Sequence, residues 1–276
     1  MKKFVADDGE FIHLEIDGQG TPVVLLHGWT ASHDEWSPFV PELARHHRIY
    51  RWDARGHGGH APATTSAPTV QRMARDLRHL LDHYALRRPV LVGHSMGALT
   101  VWEYLREHGT AGIGKLCFID QSPKLLTDSG WAGGIYGDFD RQRAERFAAD
   151  LHDDFAEAVL RLAARGLNDR ARAKYDENSP GWQRVREGLQ QLHPPPLIEI
   201  WNSLTAADYR DVLEKIDVPA LLIYGGQSNF YGRDTARFVG DRIRQAVLHI
   251  YEDADHSPHQ GQRERFLRDL LEFIGD

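Results

Sequence analysis

The first residue of this chain with the setting for covalent catalysis is a serine held between two glycines. Ser95 stands in Gly93-His94-Ser95-Met96-Gly97, preceded by the apolar Val90-Leu91-Val92 and followed by a helix-compatible stretch over 98–108. In a G-x-S-x-G string between strand and helix, the glycines give a sharp turn room and the hydroxyl is presented at the strand's carboxyl end. Ser95 is therefore the candidate nucleophile. A hydroxyl attacks a carbonyl only when a base takes its proton. Among 16 histidines the best placed is His256, which follows the last predicted strand in Glu252-Asp253-Ala254-Asp255-His256-Ser257-Pro258-His259 and precedes the last helix. His259 is its close rival, whereas His27, His57, His60 and His94 adjoin glycine turns and read as structural or surface histidines. Acyl transfer also needs two N–H donors for the developing oxyanion. The N–H of Met96, directly after the nucleophile, is one. The other is expected from Trp29, in the loop Leu25-Leu26-His27-Gly28-Trp29 that follows the first buried parallel strand.

These residues need a scaffold, and the chain has the means to build one. It has 276 residues with 41% hydrophobic and 26% charged side chains, a globular composition that excludes disordered, collagenous and low-complexity proteins. At that length a full apolar core needs no disulfide, metal or cofactor staple. The formal charge of -7 gives no electrostatic reason to expect nucleic acid or an anionic membrane as partner. The single cysteine, Cys117, lies in an apolar run and reads as a small buried hydrophobe. Lys2 and Lys3 are followed by Asp7, Asp8 and Glu10 where a signal peptide needs its apolar stretch, and no run reaches the roughly 18 apolar residues of a membrane span. The expectation is a soluble cytoplasmic protein, monomer or homodimer.

Short apolar runs alternate with helical spacing, the pattern of an α/β protein with a mostly parallel central sheet flanked by helices. Strands are predicted over 23–26, 49–52, 90–92, 116–119, 220–224 and 247–251, after a hairpin-like stretch over 11–16. Val70, Met73, Leu77, Leu80, Leu81 and Tyr84 recur at helical steps, as do Phe266, Leu267, Leu270, Leu271 and Ile274. From about Pro123 to Asp211 the alternation stops. Phe147, Leu151, Phe155 and Val159 step by four, and Pro194-Pro195-Pro196 must interrupt any helix there. That segment reads as an insertion of helices between two strands.

Four motifs in order, His27-Gly28-Trp29, Asp53-Ala54-Arg55-Gly56-His57-Gly58, Gly93-His94-Ser95-Met96-Gly97 and Asp255-His256-Ser257-Pro258-His259, make the chain resemble the α/β-hydrolase superfamily across nearly its full length. The resemblance implies the α/β-hydrolase fold, a core over 1–123 and 212–276, and a helical cap over 124–211 inserted after strand six. It makes the Asp53 to Gly58 turn structural. It also exposes a departure: family members commonly carry the triad's acid a few residues after strand seven, but here Gly225-Gly226-Gln227-Ser228-Asn229-Phe230 offers only Ser228 or Asn229, and neither can carry the charge. Some members place the acid after strand six, a position held by Asp120. An Asp ending an apolar strand carries a costly charge that a histidine partner offsets, so Asp120 is predicted to orient His256. Asp234 is the rival, and Asp255 is too close in sequence to reach the ring without an unusual bend.

The expectation is a serine hydrolase of the carboxylic ester type, an esterase or lactonase acting through an acyl-enzyme on a small to medium hydrophobic substrate. The alternative is a carbon–carbon bond hydrolase or cofactor-free lyase with the same triad, which an arginine facing the pocket from the cap would favour. The third is a small-molecule receptor that does not turn over. No metal or cofactor motif is present: H-E-x-x-H and C-x-x-C are absent, and Arg141, Arg143, Arg146, Arg161 and Arg165 are interleaved with acids as i,i+4 surface pairing would have them.

Overall fold

Strands buried on both faces must sit inside a sheet with helices on either side, and the central strands of this chain are of that kind. The computed structural model describes residues 2–59 and 64–275, and His60 lies outside them. One sheet runs in the order β1 (Lys2–Val5), β2 (Phe11–Gly18), β4 (His47–Trp52), β3 (Thr21–Leu26), β5 (Val90–His94), β6 (Lys115–Ile119), β7 (Ala220–Gly225) and β8 (Ala246–Tyr251). β2 is antiparallel to β1 and β4, and the rest of the sheet is parallel. The predicted strands all fall inside observed ones, which extend them by one or two residues. The stretch at 11–16 is half of a hairpin whose other arm, β1, was not assigned from sequence.

Alternate residues of each parallel strand feed two cores. Val24, Leu26, Leu91 and Phe118 pack with α1 (Val70–His83) and α2 (Met96–His108). Val23, Leu25, Val92, Cys117 and Ile119 pack on the other face with Trp36, Phe39 and, at the end of the chain, Phe266 and Leu270. Burial pushes the Cys117 thiol far above its ordinary range, which leaves it an inert hydrophobe.

Between β6 and β7 the chain forms α3 (Arg141–Asp153), α4 (Phe155–Ala164), α5 (Asp169–Asp176), α6 (Pro180–Gln190) and α7 (Pro194–Ala206). The stepping of Phe147, Leu151, Phe155 and Val159 therefore spans two helices. Asp154 breaks it with an extended backbone (φ -149, ψ 93), and its side chain accepts the Glu157 N–H at 3.1 Å to cap α4. The three prolines open α7, where the missing N–H groups have no intrahelical acceptor to lose. At the neck of the insertion the Tyr209 N–H bonds the Pro123 carbonyl at 2.8 Å, and Lys124 pairs with Asp208. Of the arginines named from sequence, three pair between elements, Arg143 with Asp138, Arg161 with Asp150 at 3.6 Å and Arg165 with Asp176 at 3.9 Å, rather than one turn apart as expected. After β7 come α8 (Arg233–Arg242) and α9 (Arg263–Ile274).

The turn at 53–58 has a mechanical task. Asp53 accepts the His33 N–H at 2.8 Å, and Gly58, at φ +54, passes so close that a Cβ there would lie 2.1 Å from Asp53 Cγ. The buried Arg55 guanidinium bridges Asp8 and Asp76 at 2.8 and 2.7 Å. Two histidines then tie this turn to the loop after β3: His27 Nε2 accepts the Ala54 N–H at 3.0 Å, and His57 Nε2 accepts the Thr30 N–H at 3.2 Å.

Candidate active site

The turn from β5 into α2 forces Ser95 into a conformation that few residues tolerate, φ 51 and ψ -116. Both flanking glycines are required by contact. A Cβ on Gly93 would lie 2.6 Å from the Ala98 nitrogen, and one on Gly97 would lie 2.2 Å from the Leu26 carbonyl oxygen. Strain of this kind persists where surrounding structure over-determines it. It puts Ser95 at the carboxyl edge of the sheet and at the amino end of α2, whose unpaired N–H groups favour negative charge.

Gly28 brings the loop after β3 against the serine, since a Cβ on Gly28 would lie 3.6 Å from the Ser95 Cβ. Among the described residues neither the Trp29 N–H nor the Met96 N–H has a protein acceptor. The Trp29 ring has a separate task. It lies 4.8 Å from the Trp201 ring and 5.7 Å from that of Phe155, and its Nε1–H bonds the Leu197 carbonyl at 3.0 Å, so it joins the loop to the inserted helices.

His256 enters from the loop after β8. Gly225 and Gly226 let that loop approach: a Cβ on Gly225 would lie 2.0 Å from the Asp255 carbonyl oxygen. The His256 Nδ1 lies 3.4 Å from Asp120 Oδ1, a long contact that falls short of an aligned hydrogen bond. Such contacts are often long before substrate binds. The imidazole packs edge-on against Phe230 at 4.5 Å between ring centres. Asp120, at φ 43 directly after β6, is fully buried and accepts from the Gly225 N–H at 2.9 Å and the Ser228 hydroxyl at 3.0 Å. The residues standing where the acid is commonly found thus serve in other ways. Ser228 donates to Asp120, while Asn229 Oδ1 accepts the His256 N–H at 3.2 Å and its Nδ2 donates to the Ala163 carbonyl of α4 at 2.7 Å.

The rivals sit elsewhere. Asp234 begins α8 with its side chain 97% exposed and paired with Arg237, and Asp255 accepts the Ser257 N–H. His259 is wholly buried behind the site, with its Nε2 2.9 Å from Glu35 Oε1. Glu35 itself was missed from sequence, because its partners are far away in the chain and nothing beside it marks it. Its Oε1 also lies 2.7 Å from His94 Nδ1, and its Oε2 accepts the Gly28 N–H at 2.9 Å. Glu35, His94 and His259 bring three potential metal-ligand atoms within 4.8 Å of one another, but both carboxylate oxygens are already engaged.

A cavity of about 500 Å³ opens over Ser95, within the usual range for a small-molecule site. Trp29, Met96 and His256 line it near the serine, and Val159, Leu189 and Leu204 of the inserted helices roof it. Gln121 is a polar side chain in its wall, donating to the Tyr231 hydroxyl at 3.0 Å. No lysine or arginine is among the described lining residues.

The family profile described as alpha/beta hydrolase fold matches residues 21–260. The chain belongs to the alpha/beta hydrolase family. Its candidate site lies at the carboxyl edge of the sheet, where Ser95 follows β5 and Asp120 follows β6. It is 27% identical over 288 residues to a non-heme haloperoxidase of Rhodococcus erythropolis, covering 99% of both chains. It is 28% identical over 257 residues to a pimeloyl-[acyl-carrier protein] methyl ester esterase of Sodalis glossinidius, covering 91% of this chain and 92% of that one. An esterase from Exiguobacterium antarcticum shares the fold at a TM-score of 0.86 with 23% identity, covering 99% of each chain. Among the described residues no helix is long and apolar enough to cross a membrane.

Proposed function

We propose that the protein is a carboxylic ester hydrolase, an esterase or lactonase, that cleaves uncharged hydrophobic substrates through an acyl-enzyme on Ser95. His256 takes the proton of the Ser95 hydroxyl as it attacks the carbonyl and returns it to the leaving alcohol. Asp120 holds the imidazole and stabilises its cation, and the N–H groups of Trp29 and Met96 receive the oxyanion. Water, deprotonated by His256, then releases the acid. The observation that carries this reading is that the strained Ser95 turn and His256 line one cavity, with the buried Asp120 3.4 Å from the His256 Nδ1. The ester-hydrolase names among its relatives support the same class.

The cavity's lining favours this reading over carbon–carbon cleavage. Substrates for that chemistry often carry carboxylates, and no described arginine or lysine faces the cavity to pair with one. The test is a panel of p-nitrophenyl esters of rising acyl length, with a monoester bearing a free carboxylate as comparison. Neutral acyl chains of medium length should give the highest kcat/KM, and the carboxylate-bearing ester should be poorer by about 10-fold or more, because the apolar wall leaves its charge unpaired. Preference for the charged ester, or turnover that persists in Ser95→Ala, would overturn it.

A further inference from the structure

Glu35, His94 and His259 form a buried polar group that the acyl-transfer mechanism does not use. Their side chains are 9%, 7% and 0% exposed, and their atoms are connected in one direction. The Glu35 Oε2 accepts the Gly28 N–H at 2.9 Å, one residue before the Trp29 N–H assigned to the oxyanion. The Glu35 Oε1 meets His94 Nδ1 at 2.7 Å, somewhat off the ring's N–H direction, and His259 Nε2 at 2.9 Å. On its far side the His94 Nε2 lies 3.0 Å from the carbonyl oxygen of His256.

The partners dictate the protons. A carbonyl oxygen only accepts, so His94 Nε2 carries a hydrogen. A bare lone pair on Nδ1 would face a carboxylate oxygen at 2.7 Å, so Nδ1 carries one as well, and His94 is an imidazolium. Burial opposes that charge, but the Glu35 carboxylate outweighs it and holds the His94 pKa above its ordinary value. Burial likewise opposes the Glu35 anion, and the facing His94 cation, with bonds from His259 and His94, keeps the carboxyl well below its usual range. His259, pushed down to about 4 by burial and by the His94 cation, stays neutral and donates from Nε2. The other charged or titratable groups facing His94 are His256 and Asp120. The buried group is thus a neutral set made of one anion, one cation and one neutral ring.

We propose that Glu35 and His94 are positioning residues that tie the oxyanion loop to the backbone of the catalytic-base loop, through Gly28 N–H at one end and the His256 carbonyl at the other. The inference rests on the acyl-transfer reading of Ser95 and His256. Both tied loops act mainly on the transition state, so a fault here registers in kcat more than in KM.

The test compares Glu35→Ala and Glu35→Gln with wild type on the best ester of the panel, with the protonation state of His94 read from ¹⁵N imidazole signals of the full chain at pH 7 and assigned by their loss in His94→Gln. The Ala variant should lose about 10- to 100-fold in kcat, the scale of a small misplacement of catalytic groups, with KM little changed. The Gln variant can still accept the Gly28 N–H, and its NH₂ can donate to a neutral His94 Nδ1 and, once the neutral His259 carries its hydrogen on Nδ1, to His259 Nε2, so it should recover most of that loss and lose the imidazolium signal. Wild type should show both His94 nitrogens protonated. A folded Ala variant with unchanged kcat would overturn the proposal, as would a neutral His94 in wild type even if the Ala variant failed to fold. A wild type that hydrolyses no ester would instead count against the ester reading. In that case the rate at which a fluorophosphonate inactivates Ser95 takes the place of kcat, and an equal rate in wild type and Glu35→Ala would overturn the positioning role.

Discussion

Ser95→Ala is expected to lose about 10⁵-fold or more in kcat for the best ester while keeping its fold, because removing the nucleophile of a serine triad costs about as much as removing the whole unit. What remains is the oxyanion donors and the cavity, which still bind substrate, so KM should change little. The substitution keeps the Cβ at φ 51 and removes one oxygen from the cavity, so the melting temperature should stay close to that of wild type. Steady-state rates on the same enzyme preparation, with circular dichroism melts beside them, check both halves. Residual turnover above about one hundredth of wild type would mean that another group attacks the carbonyl.

The next largest effect is expected at Asp120. Asp120→Asn should lower kcat by about 10⁴-fold, the scale seen when a triad acid loses its charge and the histidine takes the wrong tautomer. This variant also has a structural cost. The carboxylate accepts from the Gly225 N–H and the Ser228 hydroxyl, and an amide must turn its NH₂ toward one of them or toward His256. A buried mismatch of this kind costs about 1–3 kcal/mol. Rates should therefore be read well below the melting temperature, where the loss in kcat persists after the loss in stability is accounted for. Near-wild-type kcat in a folded Asp120→Asn protein would move the acid elsewhere. Asn229→Asp would then be the informative companion, although its side chain is bonded to the His256 backbone rather than aimed at the ring.

Both expectations could be framed before any coordinates, because the groups concerned lie where strands end. A strand buried on both faces is legible as an apolar run, and its last residue must turn at the sheet's carboxyl edge. Ser95 follows such a run and is read from local pattern, whereas Asp120, which also follows one, is singled out because the family resemblance admits an acid at that strand end. His256 is legible from its place after the last predicted strand, β8, although that strand lies at the sheet's edge and is only partly buried. Less local features were not. β1 is four residues long with one buried side chain, too short for an alternation to be recognised. The break at Asp154 depends on a cap that interrupts an otherwise continuous helical spacing. Ser228 and Asn229 could be seen to lack a charge, but their bonds to Asp120 and to the His256 backbone follow from how two loops meet. Glu35 was hidden most completely, because its bond to His259 joins residues 224 positions apart.

The central claim is that Ser95 forms the covalent intermediate, and covalent trapping tests it most directly. The full chain would be treated with an alkyl fluorophosphonate, which loses fluoride on attack by an activated serine, then digested and mapped by mass spectrometry. The account predicts one stoichiometric adduct on the peptide holding Ser95, none on Ser95→Ala, and loss of ester turnover in step with labelling. Stoichiometric labelling of a different residue, or full ester turnover by a protein that resists labelling at Ser95, would contradict it.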